Sequence, residues 1–111
     1  SEATRLAAPG FVYRELDRVR VKGKTEPVAI FEPLGAAGQL DAAALAELAQ
    51  WEHALERVRA RDWDAAQPVL EALSASHPQS ALYALYLDRI ARFRLDPPAA
   101  GWDGVTTYNA K

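Results

Sequence analysis

The pattern of apolar and polar residues changes along the chain, and its first part indicates two β-strands. From Phe11 to Leu34 the sequence is rich in Val, Ile, Phe and Tyr, and a turn-forming stretch at 22–27 interrupts it. We therefore predict two strands joined by a loop. On the first strand valines alternate with basic residues, but Leu16 is out of phase, which predicts a bulge near Asp17.

The second predicted strand is apolar on both faces. Val28 and Ile30 point one way, while Ala29 and Phe31 point the other. A strand of this kind is normally covered on both sides. The only element predicted before the strands is a short helix at 1–8, so we expect the hairpin to need partners from a larger domain.

After a small-residue linker at 36–40, the apolar residues recur at the spacing of α-helices. We predict three helices within 41–95, the first beginning near Asp41 and the second capped by Asp62. Pro68 lies inside the second predicted helix, where its missing backbone donor predicts either a kink or a late helix start.

The third predicted helix stops before Pro97, and residues 96–111 are predicted to form a tail. Aromatic residues recur at helical spacing, and we expect them to fill the core before any ligand site. They are Trp51, Trp63, Tyr83 and Tyr86. The pattern as a whole predicts an α+β fold, with a short helix and a β-hairpin followed by a three-helix bundle.

Composition narrows the classes of function. A chain of 111 residues with a net charge of -2 has no overall attraction to nucleic acid or to anionic membranes, so we expect neither as a partner. The absence of cysteine excludes disulfides and thiolate metal sites, and it suits a cytoplasmic location. Apolar runs fall well short of the roughly 20 residues that span a bilayer.

Candidate metal ligands are sparse, and the basic residues are concentrated on the hairpin. His53 and His77 lie far apart in sequence, and Glu15 with Asp17 is better explained as surface charge, so we predict no metal site. We expect any binding of anions to occur on the hairpin, where residues 14–24 include five basic side chains and only two acidic ones, Glu15 and Asp17. The cations are Arg14, Arg18, Arg20, Lys22 and Lys24.

Four short stretches carry a resemblance to a known family. They are Ser-Glu-Ala-Thr at 1–4, Phe-Val-Tyr-Arg-Glu-Leu-Asp at 11–17, Val-Arg-Val-Lys-Gly-Lys at 19–24 and Glu-Pro-Val-Ala-Ile-Phe-Glu at 26–32. Together they resemble the C-terminal hairpin of class III adenylate and guanylate cyclase catalytic domains, with the Val-Lys-Gly-Lys turn as the most specific part. The resemblance to the hairpin covers residues 1–35, and a short helical extension followed by proline and Trp-Asp-Gly-Val, at 102–105, is also similar to the tails of bacterial cyclases of this class.

The resemblance implies a larger parent protein with a ferredoxin-like catalytic domain that dimerises and converts ATP or GTP to a cyclic nucleotide and pyrophosphate. Lys22 occupies the position of the lysine that reaches the terminal phosphates, and Lys24 is the second candidate. A flexible ammonium beside a glycine can approach phosphate oxygens closely. The parent would use Mg²⁺ and, as in many relatives, would carry a sensory or membrane-anchored region upstream.

The family's metal-binding aspartates, its base-selecting residues and its transition-state asparagine and arginine all lie upstream of the matched segment. No catalytic residue is therefore assigned, and we expect the chain alone to be inactive and to need the remainder of the catalytic domain. ATP and GTP are not distinguished. Because the hairpin presents unpaired strand edges, we also expect a homodimer.

The predicted helices at 41–95 resemble a tetratricopeptide repeat, whose small, large and proline positions six residues match. These are Ala54, Trp63, Ala66, Leu70, Leu73 and Pro78. Gln50 and His53 depart from the pattern, and a three-helix antiparallel bundle without a peptide-binding groove explains the spacing equally well. The alternative function is accordingly a helical protein-interaction or regulatory module.

Overall fold

The computed structural model describes residues 10–108, so the helix predicted at 1–8 lies outside the described residues. Within that range the chain is α+β, as predicted, with a three-stranded sheet and three helices. In chain order the elements are β1 (Phe11–Val21), β2 (Val28–Ala36), α1 (Ala42–Arg59), α2 (Trp63–Ser76), α3 (Ala81–Leu95) and β3 (Thr106–Tyr108).

Strands β1 and β2 form the predicted antiparallel hairpin. Their register shifts between Glu15 and Asp17, which lie opposite the consecutive residues Phe31 and Ile30, and this shift confirms the predicted bulge near Asp17. The bulge explains why Leu16 is out of phase with the valines that follow it. After the bulge, Val19 lies opposite Val28, so these two side chains share one face of the sheet.

The sequence predicts a tail over 96–111, but the described part of that segment contains a strand. Thr106–Tyr108 pairs in parallel with the end of β1, which gives the strand order β2-β1-β3. A strand of three residues is too short to show a period-two pattern. Its pairing comes from the free edge of β1, which the local sequence does not reveal.

The described residues divide into two compact units. Residues 10–45 and 104–108 form the first, which we call the sheet unit, and Ala46–Asp103 form the second, the helical unit. The chain therefore leaves the sheet after β2 and returns to it as β3. In sequence, the helical unit is an insertion between two strands of one sheet.

The helical unit has a core of ten buried side chains contributed by all three helices. Trp51 is fully buried in this core, with its ring 4.9 Å from that of Tyr86 in an edge-to-face arrangement and 5.8 Å from that of Tyr83. These three aromatic residues are core residues, as predicted. Trp63 is only partly buried, and it stacks on Phe93 with ring centroids 5.0 Å apart.

The first two helices start where the sequence predicts. The Asp41 carboxylate accepts a hydrogen bond from the backbone N–H of Ala44 at 2.8 Å. The Asp62 carboxylate accepts one from Ala65 at 3.2 Å, which confirms the cap predicted there. Since α2 already begins at Trp63, Pro68 does not delay the helix start, and the helix continues through the proline.

Candidate anion-binding turn

The β1–β2 loop is built around a glycine between two lysines. The backbone N–H of Lys24 donates to the carbonyl of Val21 at 2.9 Å and closes a tight turn. Gly23 has a φ of 93°, in the left-handed region that favours glycine over residues with a Cβ. Both lysines are exposed. The turn therefore presents two ammonium groups on a short backbone segment with defined geometry.

Strand β3 holds the backbone at the first of these lysines. The N–H of Lys22 donates to the carbonyl of Tyr108 at 2.6 Å, directly beyond the pairing of Val21 with Tyr108. This bond continues the parallel ladder one residue past the end of β1. The backbone of Lys22 is thus fixed from the neighbouring strand while its side chain is exposed.

Arg20 ties the two sides of the loop together. Its Nε–H donates to the carbonyl of Thr25 at 3.0 Å, across the turn that contains Lys22 and Lys24. The guanidinium group of Arg20 therefore lies beside the same loop and adds a third cation. Glu26 is also in this loop and partly offsets the positive charge.

The other cations of the hairpin are paired with acids. Arg14 forms an ion pair with Glu32 across the two strands. Arg18 lies 3.5 Å from the carboxylate of Glu15. Among the described residues, neither Lys22 nor Lys24 forms an ion pair. The cations available to an external anion are thereby concentrated at the turn.

One face of the sheet is apolar and exposed, and we call it the apolar sheet face. The register places Val19, Val21 and their partners on this face, opposite to Arg18 and Arg20. Its four most exposed side chains are Val28 (57% exposed), Tyr108 (47%), Val21 (41%) and Ile30 (40%).

The carboxylates and histidines considered as metal ligands are dispersed. Asp17 accepts a hydrogen bond from the backbone of Arg18 at 2.9 Å, and Glu15 pairs with the Arg18 side chain. His53 is exposed on α1. Within residues 10–108 there is no group of three His, Asp or Glu side chains that could hold a metal ion.

A polar cluster in the helical unit was not predicted from the sequence. The hydroxyl of Tyr83, whose side chain is completely buried, donates to Glu47 Oε2 at 2.5 Å. Nε2 of His77 lies 3.4 Å from the other carboxylate oxygen. The cluster joins α1, the residue after α2, and α3. Only the need of a buried tyrosine for a hydrogen-bond partner could have signalled it.

Comparisons with known proteins do not assign the chain to a family. No protein-family model, no curated protein and no solved structure matches it. No helix within residues 10–108 is both long enough and apolar enough to cross a membrane.

Proposed function

We propose that this chain is the C-terminal segment of a class III nucleotide cyclase, in which the Lys22-Gly23-Lys24 turn contacts the phosphates of ATP or GTP. The observation that carries the proposal is the turn itself. Lys22 has a backbone held by Tyr108 and an exposed ammonium group, and Arg20 lies beside it. The choice of a nucleoside triphosphate as the ligand of this turn comes from the resemblance of residues 1–35 to the cyclase hairpin.

The chemistry of the turn suits an electrostatic role. Cyclisation transfers negative charge to the pyrophosphate that leaves, and a cation beside those oxygens stabilises the charge as it develops. Lys22 would supply a point charge, and Arg20 would supply planar donors. We propose that carboxylates of the parent protein would hold Mg²⁺, which would help to neutralise the charge of the triphosphate.

The apolar sheet face supports a larger catalytic domain as the partner of the hairpin. Val28, Ile30 and Tyr108 are exposed on this face, and exposed apolar surface commonly marks contact sites. We propose that the remainder of the cyclase domain covers it. The outer edge of β2 has no further strand in the described sheet, and we propose that the homodimer forms along such an edge.

Binding of inorganic tripolyphosphate to the chain tests the phosphate contact. We expect NMR shift changes confined to the loop at 22–27 and its neighbours. Lys22→Ala should weaken the affinity about tenfold, since one charge-assisted hydrogen bond contributes about 1.5 kcal/mol. Lys22→Arg keeps the charge and should retain most of the affinity.

The matched control for that titration is Arg92→Ala. Arg92 is an exposed cation on α3 that pairs with Asp88, so its removal changes the net charge by the same amount. We expect the affinity for tripolyphosphate to stay within about twofold of the unmodified chain, because long-range charge effects are screened. If both alanine variants lowered the affinity for tripolyphosphate equally, the binding would depend only on net charge, and the specific role of Lys22 would be wrong.

The helical unit supports a second candidate function, a protein-interaction or regulatory module. Its ten-residue core is its own, and it is inserted between β2 and β3. In the parent protein, we expect that replacing Ala46–Asp103 with a flexible linker, long enough to let β3 pair, will change cyclase turnover. A change in unfolding temperature with unaltered turnover would leave the unit a purely structural role.

A further inference from the structure

Strand β3 makes its contacts at the base of the proposed phosphate-binding turn. Thr106, Thr107 and Tyr108 pair with Val19, Arg20 and Val21, the last residues of β1. The carbonyl of Tyr108 then accepts the hydrogen bond from Lys22, the first residue of the loop. No other described strand borders β1 on this side. The backbone at Lys22 is therefore held by β3.

We propose that β3 is a positioning element for Lys22, and that its pairing with β1 sets the affinity of the turn for phosphate groups. This inference rests on the proposed function of the Lys22 turn. Without β3, the N–H of Lys22 would be solvated and the end of β1 would be free to fray. A phosphate ligand would then have to order the backbone of the turn as it binds.

Strand β3 follows almost directly after the helical unit in the chain. Only Gly104 and Val105 separate β3 from Asp103, the last residue of the helical unit. Gly104 has a φ of 81°, in the left-handed region, and Val105 is buried. The helical unit is thus connected through the chain to the strand that holds Lys22.

Two proline substitutions in β3 test its pairing with β1, because only one of them removes a backbone N–H that faces β1. In a parallel ladder, alternate residues of an edge strand direct their backbone groups to the neighbour. Because the Tyr108 carbonyl binds Lys22, Tyr108 and Thr106 belong to the bonded set, and the N–H of Thr107 points away from β1. Thr106→Pro should disrupt the pairing, whereas Thr107→Pro should be tolerated at the edge.

Both variants keep the net charge, so a change in anion affinity cannot come from lost charge. We expect Thr106→Pro to abolish protection of the Lys22 amide against hydrogen exchange. The affinity for tripolyphosphate should fall about tenfold, which corresponds to reordering one residue of backbone. Thr107→Pro should keep the protection and stay within about twofold in affinity.

The intrinsic fluorescence of the helical unit checks that Thr106→Pro is still folded there, since Trp51 lies in its core. If that unit unfolds, Thr106→Gly provides a milder disruption with the same expected direction. Loss of Lys22 protection with unchanged affinity for tripolyphosphate would overturn the positioning role, and so would full protection in Thr106→Pro. If Lys22→Ala itself leaves the affinity unchanged, the proposed function fails first, and this inference fails with it.

Discussion

At the residue scale, Arg61 adopts a backbone conformation that its type does not favour. It follows α1 with a φ of 63°, in the left-handed region. Its N–H donates to the carbonyl of Val58, and the N–H of Asp62 donates to that of Arg57, a pattern that closes many helices around a glycine. The Arg61 side chain donates to the carbonyl of Ala99 at 3.0 Å, which offsets part of the backbone cost.

Substitution of Arg61 separates the cost of its left-handed backbone from the contribution of its side-chain hydrogen bond to Ala99. Arg61→Gly and Arg61→Ala both remove the bond to Ala99, but only glycine relieves the left-handed strain. We expect the glycine variant to be more stable than the alanine variant by about 1 kcal/mol in urea unfolding. If the alanine variant is equally or more stable, the backbone conformation at residue 61 is not the source of strain.

At the element scale, the Glu47–Tyr83 hydrogen bond connects α1 with α3 inside the helical unit. Tyr83→Phe keeps the buried ring but removes the donor, and we expect a loss of about 1–2 kcal/mol in the free energy of unfolding. A double-mutant cycle with Glu47→Ala isolates the pair. A coupling energy near zero would mean that the two residues contribute independently.

The elements also differ in how far the sequence predicts them. The phase error at Leu16, the helix start near Asp41 and the cap at Asp62 are local signals in the sequence, and the structure confirms each of them. Strand β3 and the Glu47–Tyr83 pair depend on partners distant in sequence. No local period encodes such a pairing, because it is fixed only when the chain has folded.

The candidate site shows the same division between local and distant signals. The Lys22-Gly23-Lys24 motif and the excess of basic residues on the hairpin can be identified from the sequence. The contact that holds Lys22 is a backbone carbonyl at residue 108, and a backbone atom carries no signature of residue type. The exposure of the apolar sheet face likewise depends on the tertiary structure rather than on the pattern of β2 alone.

At the scale of the whole molecule, the chain combines a sheet unit that carries the proposed phosphate contact with an inserted helical unit that has a separate core. Because the chain returns to the sheet as β3, the helical unit cannot be removed by a simple C-terminal truncation without the loss of β3. A truncation after β2 would remove β3 together with the helices, so it would mix the loss of a module with the loss of the strand that pairs beside Lys22.

The most direct test of the cyclase assignment is turnover by the parent protein that contains this segment. With ATP or GTP and Mg²⁺, we predict formation of the cyclic nucleotide and pyrophosphate. Lys22→Ala should lower turnover about a hundredfold, the usual cost of removing one group that stabilises transition-state charge. Arg92→Ala should leave it unchanged. Absence of any cyclic nucleotide, or full turnover in Lys22→Ala, would contradict the account.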